Sequence, residues 1–95
     1  MGKIRRLVLD TLKPHEPNSV ELARRLTDLK GVAAVNVNIY ELDLKVENAK
    51  VTLVGDDLHL PEIQAVIEEL GGAVHSIDEV VAGREIIDAA ETLQD

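Results

Sequence analysis

The sequence predicts one small α/β (α+β) domain over residues 1–95, with the element order βαββαβ. Three observations lead to this prediction. Two amphipathic helical segments alternate with four aliphatic segments of strand length, and Gly or Pro residues mark their ends. The chain, of 95 residues and 10.4 kDa, is long enough for one compact core only.

The first strand and the first helix are separated by a stretch rich in proline. Residues 4–12 are aliphatic and β-branched, and the following segment 13–17 (KPHEP) ends the strand because its two prolines lack a backbone donor. A helix begins after Asn18, which forms an N-x-x-E capping pattern with Glu21, and Gly31 ends it. The apolar residues of this helix recur at helical spacing and are Leu22, Ala23, Leu26 and Leu29.

Two alternating segments then predict a pair of half-buried strands. Apolar and polar residues alternate over 35–40 and again over 49–54, which is the period of a strand with one buried face. The segment 43–48 between them is predicted to be the turn, and Gly55 ends the second strand of the pair.

The last third of the chain predicts a second helix, a fourth strand and a terminal helix. Pro61 lies in the first turn of the second helix, where a missing N–H has little effect. The strand at 73–81 has two equally mixed faces, which favours a bulge or an interface. Residues 83–93 are predicted to form a C-terminal helix. The buried stripe of the second helix is Leu60, Ile63, Val66, Ile67 and Leu70.

This element order predicts a ferredoxin-like sandwich, with both helices on one face of an antiparallel sheet of strand order 4-1-3-2. The other sheet face, called the open face below, is half apolar, and we expect the terminal helix and, mainly, another subunit to cover it. Arg6 and Glu79 are expected to pair across neighbouring strands. The residues predicted on the open face are Arg6, Val8, Asp10, Asn38, Tyr40, Thr52 and Val54.

Composition excludes several classes of function. A net charge of −8 is the wrong sign for a nucleic-acid-binding protein, and one aromatic residue, Tyr40, cannot form a base-stacking surface. The absence of Cys removes disulfides and thiolate chemistry. We find neither a signal peptide nor an apolar run of the ~20 residues that a membrane helix needs. We therefore expect a cytoplasmic protein with no nucleic-acid or membrane partner.

Charge is unevenly distributed along the chain. Residues 1–30 contain seven Lys and Arg against four Asp and Glu, whereas residues 31–95 contain three against fourteen. This asymmetry has two interpretations: a solvated surface, or self-association in which a basic edge of one subunit meets an acidic edge of the next.

Three blocks of sequence resemble the archaeal domain-of-unknown-function family 211. They are residues 9–17 (LDTLKPHEP), 47–52 (ENAKVT) and 75–84 (HSIDEVVAGR), and the resemblance extends over almost the whole chain. It implies a ferredoxin-like fold, an archaeal cytosolic protein and ring-like homo-oligomers, and it implies no activity. His59 is a departure, because a relative has an acidic residue at this position, the start of the second helix, and the resemblance therefore does not imply an N-cap role for His59.

Four side chains form a candidate metal site at one end of the predicted sandwich. Because strands one and four are neighbours, Asp10 and His75 are expected to approach one another, with His15 and Glu16 beside them. Two imidazoles and one or two carboxylates suit Zn²⁺ or a similar divalent cation. The turn at 43–47 is placed about 10 Å from strand one, too far to share that ion, although its carbonyls suit Ca²⁺. The alternative is a polar rim in which Lys13, His15 and the carboxylates pair loosely.

No catalytic motif emerges from the sequence, so we expect a protein that is not an enzyme. Ser76 and Asp78 share one face of their strand and His75 points to the other, which argues against a catalytic triad. The leading hypothesis is a homo-oligomeric module, with a divalent cation or small ligand as a regulator. One alternative is an amino-acid-binding domain of the ACT type, although the usual Gly after the first strand is missing. A weaker alternative is an enzyme in which His75 and Asp10 act as an acid–base pair.

Overall fold

The fold is described from a computed structural model of residues 2–87, and it confirms the predicted ferredoxin-like order. The elements are β1 (Ile4–Pro14), α1 (Ser19–Thr27), β2 (Val32–Leu42), β3 (Val46–Gly55), α2 (Leu60–Glu69) and β4 (Ala73–Ala82). The strands form one antiparallel sheet in the order β2-β3-β1-β4, which is the predicted order 4-1-3-2.

The predicted C-terminal helix is only partly within the described residues. Residues 83–87 are bends and irregular chain rather than helix, so the prediction is wrong for this stretch. Residues 88–93 of the predicted helix lie outside the described part of the chain. No helix within residues 2–87 is both long and apolar enough to span a bilayer.

The hydrophobic core lies between the helices and one face of the sheet. Alternate residues of the two central strands are buried there, with Leu7 and Leu9 from β1 and Val51 and Leu53 from β3. Each fully buried aliphatic side chain contributes about 1.5–3 kcal/mol, so this layer holds the fold together. The helices complete the core with Leu22, Leu26, Ile63 and Ile67, as their predicted stripes require.

The central strands are longer than predicted. β1 continues through Lys13 to Pro14, and β3 begins at Val46, so that Pro14 pairs with Val46 and the turn shrinks to residues 43–45. Glu47 and Asn48 of β3, predicted to lie in the turn, join the ladder because β1 and β2 both continue beside them. β2 likewise begins three residues early, at Val32, opposite Gly55.

The two helices begin differently. The side chain of Asn18 accepts a hydrogen bond of 3.0 Å from the backbone N–H of Glu21, which confirms the predicted cap of α1. His59 occupies the N-cap position of α2, and its side chain makes no capping hydrogen bond. Its backbone carbonyl instead accepts from the N–H groups of Glu62 and Ile63. Pro61 lies in the first turn, as predicted.

Gly31 and Gly55 allow two chain segments to approach closely at the start of β2. Gly31 has φ of +91°, in the region that favours glycine, and a Cβ there would collide with the carbonyl oxygen of Asp57. A Cβ on Gly55 would collide with the carbonyl oxygen of Gly31. That same oxygen accepts a 3.1 Å hydrogen bond from Asp56, so the contact ties β2 to the end of β3.

The bulge predicted in β4 is confirmed. Its pairing with β1 shifts register at three places. Two of these shifts skip one residue of β4: His75 lies between the pairs of Asp10 and Thr11, and Asp78 lies between those of Val8 and Leu9. An extra residue bends a strand and re-aims its side chains, which explains why neither face of the 73–81 segment is cleanly apolar.

Candidate functional site

The open face of the sheet carries a polar row that crosses all four strands. The register places Asn38 of β2 beside Lys50 of β3, Lys50 beside Asp10 of β1, and Asp10 beside Ser76 of β4. Paired residues of neighbouring strands project to the same side, so these four side chains share one face. This is the face opposite the buried layer of Leu9 and Val51, as the sequence predicted.

Tyr40 joins this row from the edge strand. Its hydroxyl donates a hydrogen bond to the carboxylate of Asp10, although β3 lies between the two strands. This hydrogen bond to the negatively charged Asp10 raises the pKa of Tyr40 to about 12. The ammonium of Lys50 lies 6.0 Å from the centre of the Tyr40 ring, on the strand that the tyrosine crosses.

A second set of contacts joins Lys50 to side chains of β4. The ammonium of Lys50 donates to Asp78 at 2.8 Å, and the hydroxyl of Ser76 donates to the other oxygen of the same carboxylate at 2.8 Å. These two hydrogen bonds, with Lys50 the larger cause, lower the pKa of Asp78, and Asp78 in turn raises the pKa of Lys50. The bulge at Asp78 therefore turns this carboxylate toward the middle of the open face.

The next row toward the other end of the open face contains one aliphatic residue, Val8. Asn36, Thr52, Val8 and Glu79 lie side by side across the four strands. Glu79 also lies 3.7 Å from the guanidinium of Arg6, which confirms the predicted ion pair. The open face is thus a mixture of aliphatic and paired charged side chains.

The uneven charge of the sequence is largely compensated within the fold. Four basic residues from the first thirty approach carboxylates from the rest of the chain. The asymmetry along the sequence therefore does not create separate basic and acidic edges from these residues. The pairs are Arg5 with Asp56, Arg6 with Glu79, Lys13 with Glu47 and Arg25 with Glu69.

A compact ion-pair cluster, called the Glu47 cluster, consists of Lys13, His15 and Glu47 at one end of the sheet. One carboxylate oxygen of Glu47 lies 2.8 Å from the Lys13 ammonium, and the other lies 2.9 Å from Nδ1 of His15. Lys13 is 4% exposed, and its ammonium also donates to the carbonyl of Pro14 at 2.8 Å. A buried lysine is stable only with such partners, so Glu47 is needed where it lies.

His15 also contacts the turn between β2 and β3. Its Nε2 lies 3.0 Å from the carbonyl oxygens of both Asp43 and Leu44. Hydrogen bonding to Glu47 is the largest cause of the raised pKa of His15, and the backbone carbonyl of Leu44 is the next. The pKa of Glu47 is lowered, first by its hydrogen bond from Lys13 and then by that from His15.

The predicted distance of about 10 Å between this turn and strand one is therefore wrong. β1 and β3 are direct neighbours, and their register places Lys13 opposite Glu47. Because β1 runs on to Pro14, His15 follows it directly and reaches the turn. The sequence placed Lys13 and His15 in the alternative of a loosely paired polar rim but did not identify Glu47 as their shared partner, and the signal that identifies it is the pairing register rather than a motif.

The four predicted metal ligands do not form one group. Asp10 lies on the open face bonded to Tyr40, whereas His15 is bonded to Glu47, the partner of buried Lys13 on the helix side. Glu16 is exposed in the loop before α1, and His75 is exposed at its bulge. Within residues 2–87 no three His, Asp or Glu side chains are close enough to hold a metal ion. The Zn²⁺ or Ca²⁺ site stays a prediction that this geometry does not strengthen.

The geometry also bears on the catalytic alternatives. Ser76 and Asp78 share a face, as predicted, and the Ser76 hydroxyl also donates a hydrogen bond to Asp78. The second partner of Asp78 is Lys50 rather than His75. The carboxylate of Asp10, the partner proposed for His75 in acid–base chemistry, accepts from Tyr40. Both carboxylates are thus engaged in contacts across the sheet.

Fold and site together define a ferredoxin-like α+β protein with a sheet face of mixed polarity and paired charges. The chain belongs to the DUF211 family, described as uncharacterised ArCR, whose model matches residues 5–95. It is 54% identical to the uncharacterised protein MJ0319 of Methanocaldococcus jannaschii, over all of this chain and 98% of the relative. The resemblance noted in the sequence is therefore confirmed, and it places the chain in a family with an archaeal member and no assigned function.

Proposed function

We propose that this chain is a homo-oligomeric module, without enzymatic activity, that buries its open sheet face against a second copy of itself. The observation that carries the proposal is the open face itself. Both helices and the buried layer lie on the other side of the sheet, and within residues 2–87 no further helix or strand lies over Val8, Thr52 and Val54.

The dimensions of the molecule suit such an interface. The described chain measures 41 × 32 × 18 Å. Each broad face of this two-layer molecule is therefore wide compared with the thickness of the molecule. A standard protein interface buries about 800 Å² on each partner, which one broad face of this size supplies. Aliphatic residues among paired charges give the mixed polarity of an interface core with a polar surround.

The charges of the open face are self-complementary. Lys50 and Arg6 provide positive charge, and Asp10, Asp78 and Glu79 provide negative charge within the same surface. In a two-fold contact a residue of one copy meets a different residue of the other, so a cation of one face has carboxylates within reach on the next. A face of one sign would repel its copy instead.

The fluorescence of Tyr40 can report on association through the open face. It is the only aromatic residue of the chain, it lies on the open face, and its side chain is 55% exposed. We expect the light-scattering mass to exceed that of the 10.4 kDa monomer at micromolar concentration, and Tyr40 fluorescence to change on dilution as the copies separate. A monomeric mass at every concentration, with constant fluorescence, contradicts the proposal.

A matched pair of variants locates the interface. Thr52→Glu adds a charge at the middle of the open face, whereas Thr27→Glu makes the same change on the exposed side of α1. We expect Thr52→Glu to dissociate the assembly and Thr27→Glu to leave it intact, with circular dichroism confirming that both fold. Dissociation by Thr27→Glu alone would place the interface on the helices. Native mass spectrometry of the wild type then distinguishes a dimer from the ring expected of the family.

Ligand regulation is the finer part of the proposal. An amino-acid regulatory domain and a divalent-cation site both predict that a ligand of the folded state raises the melting temperature. A thermal-shift screen with amino acids, Zn²⁺ and Ca²⁺ separates the two, since each class gives its own response. The Asp10→Asn and His15→Gln variants show whether a cation response uses the predicted ligands. A response to neither class leaves an oligomeric module without these regulators.

A further inference from the structure

Strand β2 forms one edge of the sheet. Within residues 2–87 its one neighbouring strand is β3, so the backbone N–H and C=O groups along its other side face no strand. An edge of this kind can pair with a strand of another chain, and proteins commonly prevent this with Lys, Pro, bulges or a very short edge strand. The residues of β2 therefore decide whether this edge resists or accepts a partner strand.

β2 lacks these protecting features over most of its length. It has 11 residues, and residues 31–40 contain no Pro and none of Asp, Glu, Lys or Arg, which makes them the longest uncharged run of the chain. Its two register shifts lie near its ends, and residues 34–39 between them pair regularly with β3. A regular, uncharged edge strand of this length is open to pairing.

The other edge of the sheet, β4, is protected. It exposes Ile77 and Val80, but its pairing with β1 shifts register at three places and it carries Asp78 and Glu79. Bulges turn an edge away from a partner strand, and like charges oppose the approach of a second copy. The two edges therefore differ, and β2 is the one that fits a partner strand.

The apolar layer on the helix side of the sheet is incomplete at β2. Val35, Val37 and Ile39 are half-buried, whereas the residues opposite them on β3 are 0% exposed. A further strand beside β2 would cover the remaining surface of these three side chains, and burial of apolar surface is favourable.

β2 is self-complementary when two copies pair antiparallel about a two-fold axis at Val37. Val37 then lies opposite Val37 of the second copy and Val35 lies opposite Ile39, so the three apolar side chains form one row. The axis is perpendicular to the sheet, because opposite residues of antiparallel strands project to the same side. A slip by one residue would place apolar side chains beside polar ones.

The polar side of β2 fits the same register. Asn36 of one copy lies opposite Asn38 of the other, and both side chains are exposed. Within one chain the Asn38 amide donates to Asn36 at 3.1 Å, and each amide has further donor and acceptor positions for a second partner. Apolar residues therefore meet apolar residues, and amides meet amides.

We propose that the β2 edge is a second self-association surface, at which β2 pairs antiparallel with β2 of another copy to form one eight-stranded sheet. The chain has a net charge of −8, and pairing through its longest uncharged run brings no like charges of these strands together. This contact is separate from the open-face contact and does not require it. It places the open faces of both copies on the same side of the joined sheet.

One strand pair is a small contact. It buries less than the roughly 1,200 Å² at which stable interfaces begin, so we expect edge pairing to be weaker than association through the open face and to need high protein concentration. A disulfide traps a weak contact, and the chain has no Cys of its own to interfere.

The experiment introduces single Cys residues on the helix side of β2 and measures covalent dimers after oxidation with copper phenanthroline. In Val37→Cys the two Cα atoms are expected about 4.5–5.5 Å apart, within the range of a disulfide. Val35→Cys is the matched control, because its two copies are offset by about 14 Å along the strands. We expect Val37→Cys to link at least about tenfold faster than Val35→Cys.

Two mixtures test the register and the partner strand. Val35→Cys mixed with Ile39→Cys should link, although neither links alone, because these positions are opposite in the proposed register. Val37→Cys mixed with Ile77→Cys should give no mixed dimer by mass spectrometry. A mixed dimer there would show that β2 pairs with β4, and it would overturn the proposal.

Thr52→Glu separates this proposal from the open-face one. Added to Val37→Cys, it should leave the link in place at high protein concentration, because position 37 lies on the opposite side of the sheet. A link that Thr52→Glu abolishes would belong to the open-face assembly and would overturn edge pairing alone. A link that persists supports edge pairing even where light scattering finds a monomer and contradicts the open-face contact.

Folding of each variant is checked by circular dichroism. A folded Val37→Cys chain that links no faster than Val35→Cys overturns the proposal. If Val37→Cys does not fold, the mixture of Val35→Cys with Ile39→Cys decides alone.

Discussion

The hydroxyl of Tyr40, on edge strand β2, donates a hydrogen bond to the carboxylate of Asp10, on central strand β1, across the whole width of β3. This contact links strands that are not neighbours in the sheet. It runs beside the Lys50–Asp78 pair, so side chains of all four strands are connected on the open face. Together with the approach of Lys50 to the Tyr40 ring, these contacts form one network across the open face.

The first prediction concerns the ionisation of Tyr40. The pKa of about 12 comes first from the hydrogen bond to Asp10, because the neutral phenol donates it and the phenolate would be repelled. We expect Asp10→Asn to lower this pKa toward the ordinary value of 10.0. Ultraviolet absorbance measures it directly, since the chain has no other Tyr and no Trp. Asp56→Asn, away from the open face, is the control, and an equal fall there would refute the assignment.

The second prediction concerns how stability depends on pH through the Glu47 cluster. The raised pKa of His15 contributes stability that is complete below its ordinary value of 6.5 and is lost as pH rises through the folded-state pKa. The lowered pKa of Glu47 contributes stability that is complete above 4.5 and is lost as pH falls through its folded-state pKa. Both contributions are therefore complete only between pH 4.5 and 6.5.

Urea unfolding across a pH series measures this effect. We expect His15→Gln to remove the part of the alkaline loss that belongs to His15 and to leave the acidic loss from Glu47 partly in place. His59→Gln is the control, because His59 lies at the start of α2 and pairs at 3.5 Å with Asp57 instead. If the free energy of unfolding of His15→Gln fell with rising pH as much as that of the wild type, the prediction would be contradicted.

The third prediction concerns the close approach of Gly31 and Gly55. An alanine methyl at Gly55 collides with the carbonyl oxygen of Gly31, which is backbone and already bonded to Asp56. We expect Gly55→Ala to lower the free energy of unfolding by about 1–3 kcal/mol, since the backbone must move. Gly2→Ala has only ordinary contacts and should change it by less than about 0.5 kcal/mol. If denaturant titration gave the same change in the free energy of unfolding for both variants, the start of β2 would have space for the added methyl group.

The fourth prediction concerns Thr11, a polar residue in the core. Its hydroxyl is buried and has no hydrogen-bond partner among the described residues, while its side chain is 1% exposed. Thr11→Val replaces the hydroxyl with a methyl of similar size, and we expect it to raise the free energy of unfolding by about 1 kcal/mol. Thr52→Val, on the open face, should give no comparable gain. A loss of stability in Thr11→Val would mean that the hydroxyl is satisfied in solution.

Much of the fold was predictable because it depends on local pattern. Alternation in β1 and β3 put Leu9 and Val51 in the core and Asp10 and Lys50 on the open face, and helical spacing gave the stripe of α2. The ends of β1 and β3 were not predictable, because Lys13 and Glu47 are polar and join the ladder only when paired. The mixed pattern of β4 indicated a bulge without showing that His75 and Asp78 are its extra residues.

The candidate site was much less predictable than the fold. His15, Asp10 and His75 were expected together because the elements that carry them end near one another. Their side chains point in different directions and do not meet. Asp10 points to the open face and contacts Tyr40, whereas His15 contacts Glu47. Such partners lie about thirty residues apart in sequence, so no local spacing identifies them.

By itself the sequence determined the layers of this protein, because the period of apolar residues fixes which side of a strand or helix is buried. The tertiary structure decided the side-chain partners on the sheet that no local pattern predicts. Register placed Glu47 against Lys13 and aligned Lys50 with Asp10, and the bulge turned Asp78 toward Lys50. Those pairings follow from contacts between distant parts of the chain, whose free energy depends on the whole sheet being formed.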